Sequence, residues 1–436
     1  MIGPSPTDKK VKETMFHSLY SNYCSTRRCV FASIFFVAAT CCGWHSGRAW
    51  SEDKTIAKPD SATTEIKTAR PFAIPSDLKG SAVRSLIEKG DAKIPLVVVR
   101  GTPYEMGYHL GQATKDEIQR FVPPAIEAIA KQLGTDLPTL VEVWSRSSAY
   151  TDDRVEQELT GLSDGSGVPL QILQAVHAVP LLMPYSCSSI AAWGKATQDG
   201  HLYQTRNLDW SMDVGAHEFP VVVVYIPNQG IPHVNPTFAG MSGAHTGMNA
   251  QGIALAEMGD ASAKEAPYRV HAPHFTTFFR TMLYDADSLK STVDLFRLQP
   301  PTKRYHYVFG DGKHERRAVK IRAHSPEPND RWLSIWNDND PNDEFAPNVL
   351  SCVVYNDEGR GAFPTLKQDF GKMDGESLVA LANRIPIKGG NVENVVYDAT
   401  DLRMWISYAK GDKEAFQRPY AYIDLKTIPG FVPTSK

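Results

Sequence analysis

The chain has 436 residues, with 46 Lys or Arg against 49 Asp or Glu, so its formal net charge is −3. Hydrophobic residues make up 42% and charged residues 22%, a composition that excludes a disordered or fibrous chain. The near-neutral charge gives no reason to expect nucleic acid or an anionic membrane surface as a partner. At about 150 residues per domain, the length fits one large domain or up to three smaller ones.

Residues 1–49 are predicted to be an export signal. Arg27 and Arg28 precede an almost uninterrupted apolar run over residues 29–44, and small residues follow up to Ala49. This is the layout of a signal peptide, and the run is shorter than the ~20 apolar residues of a spanning helix. We therefore expect a periplasmic or secreted protein, exported by the general or the twin-arginine route. A retained signal would leave a membrane-anchored form.

Residues 50–92 are polar with little periodicity, which predicts a linker that becomes ordered near its end. The β-branched run at 94–100 predicts a strand, and apolar residues at helical spacing follow it. Helices are predicted over 105–121, 125–133, 153–162 and 170–179.

After Pro184 the pattern changes to short β-branched runs separated by turns, which is typical of an antiparallel sheet. The predicted strands are 188–197, 201–207, 219–226, 237–240, 244–248 and 253–258. Helical periodicity returns over 274–299. Strands then resume at 305–310, 318–323, 349–355, 395–397, 402–408 and 420–425. The sequence contains many strands, and the helices occupy separate stretches of it. This order predicts an α+β fold in which helical layers cover the sheets.

The run 161–165 matches the G-x-S-x-G pattern of a hydrolase nucleophile elbow. An elbow needs a strand before its serine and a helix after it, whereas a predicted helix precedes Ser163. We therefore interpret Gly161, Gly165 and Gly167 as a helix stop and turn.

Cys187 is the strongest candidate for a nucleophile. It lies in a Ser-rich setting at the junction between the helical third and the first strand of the later sheet. The alternative is a buried cysteine that only packs. A hairpin turn at 198–200 brings the next strand back beside it, and Arg206 and Asp209 lie near the end of that strand. These two residues are either part of a site or a structural salt bridge.

The order of several short motifs resembles that of the penicillin acyltransferase-like proteins. These are autoproteolytic acyltransferases and hydrolases among the N-terminal-nucleophile (Ntn) hydrolases, and they are related to the choloylglycine hydrolases. The matching runs are 101–108 with Gly111, 158–165, 186–189, 199–200, 206–210, 246–249, 394–398 and 402–406. The resemblance spans residues 94–425 and implies a four-layer αββα fold, with two stacked antiparallel sheets between helical layers.

The resemblance also implies that the chain cuts itself between Ser186 and Cys187. Segments 93–186 and 187–436 would then remain associated, and Cys187 would become the N-terminal nucleophile. The freed α-amine, with a pKa near ~8, can take the thiol proton without any histidine. Asp209 would hold the resulting α-ammonium, and Arg206 would favour the thiolate.

Other candidate site residues are chosen by their chemistry and their position in the sequence. Asn249 and Asn356 both have the chemistry to donate to an oxyanion, and the sequence does not choose between them. Asn207 and Trp210, in the same run as Arg206, would contact the substrate.

The sequence thus predicts an exported, self-processing amide hydrolase or acyltransferase. It would act on an N-acyl amide or acyl thioester through a thioester on Cys187, without a metal or any other cofactor. Two alternatives stay open. One is an inactive binding protein that retains the fold, and the other is a Cys/His amidase that is not cut and that uses His177 or His245.

Overall fold

The computed structural model describes residues 78–432, except for 184, 260–268, 299, 325–331, 344, 347 and 358. The predicted signal and most of the predicted linker lie outside these residues. The end of the linker is ordered as strand β1 (Ser81–Lys89), which pairs with β2 (Ala92–Gly101). Within the described part, no helix has the length and apolar character needed to span a bilayer.

Five described helices precede Cys187. They are α1 (Pro103–Ala113), α2 (Lys115–Leu133), α3 (Leu137–Ser148), α4 (Asp153–Ser166) and α5 (Leu170–Leu182). The predicted helix over 105–121 is instead split at Thr114, which has a non-helical backbone. Helix α2 then runs through Pro123 and Pro124, joining two stretches that were predicted as separate helices. Helix α3 was not predicted, although the side chain of Asp136 caps its first turn.

Four more helices are described after Cys187. They are α6 (Phe275–Asp285), α7 (Leu289–Phe296), α8 (Ala362–Gln368) and α9 (Gly375–Ala382). The remaining strands are β3 (Ser186–Gly194), β4 (Gly200–Asp209), β5 (Pro220–Pro227), β6 (His233–Phe238), β7 (Thr246–Asn249), β8 (Ile253–Gly259), β9 (Tyr305–Asp311), β10 (Arg317–Ala323), β11 (Leu333–Trp336), β12 (Val353–Asn356), β13 (Asn391–Asp398), β14 (Arg403–Tyr408) and β15 (Ala421–Asp424).

The strands form two sheets. The larger has the order β1-β2-β5-β6-β7-β8-β9-β10-β11, and the smaller has the order β12-β3-β4-β13-β14-β15. All described pairs of neighbouring strands are antiparallel except β2 and β5, which are parallel. The prediction of wholly antiparallel sheets is wrong at this pair, because five helices and the β3–β4 hairpin connect β2 to β5 and allow a crossover.

The two sheets pack face to face between helices. Gln204 of β4 donates to the carbonyl of Val308 in β9 at 3.1 Å, which joins the facing sheets. On the outer face of the larger sheet, α6 and α7 pack against residues such as Leu255 and Phe309. On the outer face of the smaller sheet, α8 and α9 pack against residues such as Ile190. The predicted αββα fold is therefore confirmed.

Glycines of α1 and α4 allow these helices to touch along their backbones. A Cβ on Gly107 would lie 2.0 Å from the carbonyl oxygen of Glu158, and one on Gly161 would lie 2.1 Å from that of Tyr104. Gly161 and Gly165 are thus in the interior of α4, and their interpretation as a helix stop is wrong. Only Gly167 ends the helix, with a left-handed backbone. The absence of a strand before Ser163 also excludes a nucleophile elbow.

A buried ion pair joins the segment before Cys187 to the segment after it. Arg280 of α6 donates to both carboxylate oxygens of Glu158 in α4, at 2.6 and 2.8 Å, and Tyr284 also donates to this carboxylate. The guanidinium of Arg280 lies 3.7 Å from the ring centroid of Tyr225. Separating the segments would leave two opposite charges buried without partners or would return both to water.

We expect Gly165→Ala to destabilise the protein strongly, because the added Cβ would lie 2.0 Å from the carbonyl oxygen of Tyr108. The free energy of unfolding, measured with denaturant, should fall by at least about 3 kcal/mol. Thr160→Ala is the matched control in α4, since the hydrogen bond described for its hydroxyl goes to the Glu156 carbonyl of its own helix. Equal unfolding midpoints for the two variants would contradict close backbone packing.

Candidate active site

Cys187 is fully buried between the two sheets, near the start of the interior strand β3. Strand residues alternate between faces, so Cys187 and Ser189 lie on the opposite face from Ile190, which packs against α8 and α9. The candidate nucleophile therefore points into the space between the sheets.

Arg206 lies beside the thiol. The β3–β4 hairpin pairs Ser189 with Arg206, and Arg206 Nη2 donates to Cys187 Sγ at 3.2 Å. The same guanidinium lies 3.8 Å from a carboxylate oxygen of Glu257 and 3.8 Å from one of Glu393. One buried cation is therefore shared by the thiol and two carboxylates.

Burial raises the pKa of the Cys187 thiol to about 12, although the positive charge of Arg206 opposes this shift. The carboxylates of Glu257 and Asp209 raise the pKa further. Arg206 thus favours the thiolate, as the sequence suggested, but burial outweighs it. In the uncut chain the thiol needs a proton acceptor before it can attack a carbonyl.

Asp209 lies across from Ser186 in the sheet register, next to the peptide bond that is predicted to be cut. Its carboxylate accepts hydrogen bonds from Arg360 at 2.9 Å and from Asn391 at 3.0 Å. Arg360 also donates to the carbonyl of Cys187 at 2.7 Å. Burial raises the pKa of Asp209 to about 6, and the charge of Arg360 opposes the shift.

The residue before Ser186 is fixed by strand β8. The hydroxyl of Tyr185 donates to Glu257 Oε1 at 2.7 Å. A Cβ on Gly259 would lie 2.3 Å from the carbonyl oxygen of Tyr185, so glycine allows the two backbones to approach. The chain leading to the predicted cut is thus held in position by one side chain and one backbone contact.

Glu257 is a candidate site residue that the sequence analysis missed. Burial raises its pKa to about 7, and the charge of Arg206 opposes the shift. Its Oε2 atom accepts no hydrogen bond from the described part of the chain. A lone carboxylate inside the apolar strand 253–258 was the signal that could have revealed it. Arg360, in a mixed polar loop, gave no such signal.

The two asparagines considered for the oxyanion have different surroundings. Asn356 pairs with Ser189 in the register, on the same face as Cys187, and its amide atoms have no hydrogen-bond partner among the described residues. The Asn249 amide donates to two carbonyls at the end of α6 and accepts from two backbone N–H groups in the β7–β8 turn. Asn356 is therefore free to bind a ligand oxygen, whereas Asn249 stabilises a turn.

Of the two residues predicted to contact the substrate, Asn207 lies away from the thiol's face. Asn207 points to the helical side of its sheet and donates to the carbonyl of Ala382 at 2.9 Å. Trp210 follows β4, and its backbone N–H donates to Gly390. A substrate role for either residue stays a prediction.

Neither histidine considered as a partner for Cys187 forms a hydrogen bond to it in the described structure. His177 Nε2 accepts from the backbone N–H groups of Ser242 and Gly243, at 3.0 and 3.1 Å. His245 contacts Glu393 at 2.9 Å. Both imidazoles therefore have structural partners, and the geometry does not favour a Cys/His pair.

No family model matches the chain. Protein dcd1B of Dictyostelium discoideum is 25% identical over 372 residues, which cover 77% of this chain and 72% of that protein. The N-acylethanolamine-hydrolyzing acid amidase of Oryctolagus cuniculus is 26% identical over 220 residues, 47% of this chain and 59% of the amidase. Among solved structures, a Caenorhabditis elegans N-acylethanolamine-hydrolyzing acid amidase ortholog has a TM-score of 0.37 at 18% identity, covering 54% of this chain and 98% of that one. Penicillin V acylase from Agrobacterium tumefaciens has a TM-score of 0.37 at 11% identity, and the match covers 56% of this chain and 88% of that one.

Two facing sheets between helical layers, with a cysteine near the start of an interior strand, form the αββα architecture that the resemblance to the Ntn hydrolases implied.

The raised pKa of Glu257 predicts a pH-dependent stability. Its pKa in the folded protein, about 7, exceeds the ordinary value of 4.5, so its contribution is fully present below pH 4.5 and is lost as the pH rises through 7. In an uncut Cys187→Ala background, Glu257 should make the free energy of unfolding about 3 kcal/mol lower at pH 8 than at pH 4.5, and Glu257→Gln should abolish this difference.

Chemical denaturation at pH 4.5 and at pH 8 measures this difference. Glu127→Gln, on the exposed side of α2, is the control and should leave the pH dependence unchanged. The same pH dependence with and without Glu257 would show that its carboxyl titrates normally.

Proposed function

We propose that this protein is a self-processing cysteine Ntn hydrolase, which cleaves or transfers the acyl group of an N-acyl amide or acyl thioester through Cys187. The observation that carries the proposal is the setting of Cys187. Its thiol contacts Arg206, and the peptide bond before it lies across from Asp209. Similarity to an acid amidase supports the substrate class.

The uncut chain has no α-amine at Cys187, so self-cleavage needs another base. Glu257 suits this role, because its carboxylate borders the same guanidinium as the thiol and also binds Tyr185. Sγ would attack the Ser186 carbonyl carbon while Glu257 takes the thiol proton. That proton would pass to the departing nitrogen of Cys187, leaving a thioester that water opens. The products are a carboxylate on Ser186, an amine on Cys187 and a free thiol.

After the cut, the α-amine of Cys187 takes over as the base for substrate turnover. Asp209 would hold the α-ammonium, and Arg360 would hold Asp209 and the carbonyl of Cys187. The thiolate attacks the acyl carbonyl, and the Asn356 amide donates to the oxyanion that forms. The amine then protonates the leaving group, and water or an acceptor amine resolves the thioester.

Export is also part of the proposal. It rests on the sequence pattern of residues 1–49, which lie outside the described structure. N-terminal sequencing of the protein from its native source would test it, with a start near Trp50 expected.

We expect the purified wild-type protein to be cut between Ser186 and Cys187. At 48.2 kDa for 436 residues, about 0.11 kDa each, residues 187–436 should give a fragment of about 28 kDa. The upstream fragment should be about 15 kDa once the signal is gone. Cys187→Ala should remain one chain without activity, because the attacking sulfur is missing. Intact mass spectrometry measures both results.

Cys352→Ala is the matched control for loss of a thiol. Cys352 lies in the turn before β12 and has no described contact with the Ser186–Cys187 bond, so this variant should be cut normally. Active wild-type protein that keeps the mass of the uncut chain would refute self-cleavage.

We expect Asn356→Ala to lower kcat by ~10²–10³ on N-acyl amides while the fold stays intact, because an oxyanion donor is lost. Turnover on amides of medium-chain and aromatic acids would be measured by acyl release. Asn249→Ala should instead lower stability, because two carbonyls and two N–H groups lose their partner, and the folded fraction should keep its kcat. The opposite pattern would assign the oxyanion donor to Asn249.

A further inference from the structure

Lys303 is a buried cation in the segment between α7 and β9. Its ammonium makes long hydrogen bonds to the carbonyls of Pro180 and Leu181 at the end of α5, at 3.4 and 3.5 Å. It also lies 5.4 Å from the ring centroid of Tyr185 and 5.2 Å from that of Tyr305. Within the described part of the chain, no ion pair joins Lys303 to a carboxylate.

This arrangement is costly in the uncut chain. An ammonium taken out of water without a counter-ion loses several kcal/mol, which two carbonyls at a helix C-terminus and two aromatic faces offset only in part. Consistent with this, burial lowers the pKa of Lys303 to about 8, although the charge of Glu257 opposes the shift. Among the described residues, this position therefore holds a positive charge that has no ion-pair partner and lies close to Tyr185.

The self-cleavage proposed above, on which this inference rests, would create two new charges in the buried region. The α-ammonium of Cys187 has Asp209 nearby. The carboxylate of Ser186 needs a cation, and two nearby cations are already engaged. Arg206 lies between two carboxylates and the thiol, and Arg360 binds Asp209. In the part of the chain that the structure describes, Lys303 has no such partner, and its ammonium lies 5.4 Å from the ring centroid of Tyr185, the residue adjoining Ser186.

We propose that Lys303 is the counter-ion for the carboxylate that self-cleavage leaves on Ser186. Hydrolysis adds one water across the Ser186–Cys187 bond, and the new carboxylic acid gives up its proton. Once the bond to Cys187 is broken, rotation about the Ser186 backbone would carry the new carboxylate towards Lys303 while Tyr185 stays on Lys303. Pairing with Lys303 draws the new C-terminus at Ser186 away from the thiol of Cys187. The carboxylate is then prevented from blocking the nucleophile. Lys303 is thus a positioning residue.

The test compares the effect of Lys303→Met in cut and uncut protein. In the cut protein, the variant should lower Tm by about 5 to 10 °C, because the carboxylate loses its partner. In an uncut Cys187→Ala background, the same change should leave Tm within about 2 °C or raise it, because an unpaired charge is removed. Lys303→Arg keeps the charge and should largely restore the Tm of the cut protein.

Lys313→Met is the control, since this half-buried lysine also donates to a backbone carbonyl, that of Ala250, and should act equally in both backgrounds. If Lys303→Met lowers Tm equally in the two backgrounds, Lys303 only contacts the end of α5. That result would overturn this inference and leave the proposed function standing. So would a Lys303→Met chain that stays uncut while Lys303→Arg is cut, because Lys303 would then act in the cutting step. Wild-type protein that stays one chain would overturn both this inference and the proposed function.

Discussion

The buried guanidinium of Arg206 is the charge on which the interior of this protein depends. Removing a full charge from water costs several kcal/mol unless oppositely charged groups surround it. Here the compensation comes from Glu257 in the larger sheet and Glu393 in the smaller sheet. Arg206 therefore links the two sheets electrostatically. Its positive charge also lies beside the thiol of Cys187. One guanidinium thus contributes both to the contact between the sheets and to the electrostatics of the thiol.

A second charged group lies on the other face of the same strands. Asp209 and Arg360 are bound to each other there, and Arg360 reaches the backbone of Cys187. Side chains alternate between the two faces of a β-strand. The charged groups around the thiol are thus separated from the Asp209–Arg360 ion pair, which lies beside the backbone of Cys187. In the proposed mechanism, this separation would put the thiol on one side of the strand end and the carboxylate that holds the α-ammonium on the other.

Local rules made much of this arrangement predictable. The turn at 198–200 predicted that the next strand returns beside Cys187, and the structure places Arg206 of that strand against the thiol. Glu257 could have been noticed as a lone carboxylate in an apolar strand, but its contact with Arg206 depends on how the two sheets stack, which no local pattern encodes. Gly161 and Gly165 were misread for a similar reason. Glycine is locally unfavourable inside a helix, and only the backbone of α1 explains why it is required there.

The parallel pairing of β2 with β5 bears on the order in which the chain would fold and be cut. Strand β2 precedes Cys187 and β5 follows it, so one sheet is built from both segments, as is the Glu158–Arg280 pair. While the peptide bond is intact, it holds these partners at a high effective concentration, and their pairing is an intramolecular step. If the bond were cut before folding, the same contacts would have to form between two separate molecules at their actual dilution. A cut made after folding would therefore leave these contacts in place, whereas a cut made before folding would make assembly depend on protein concentration.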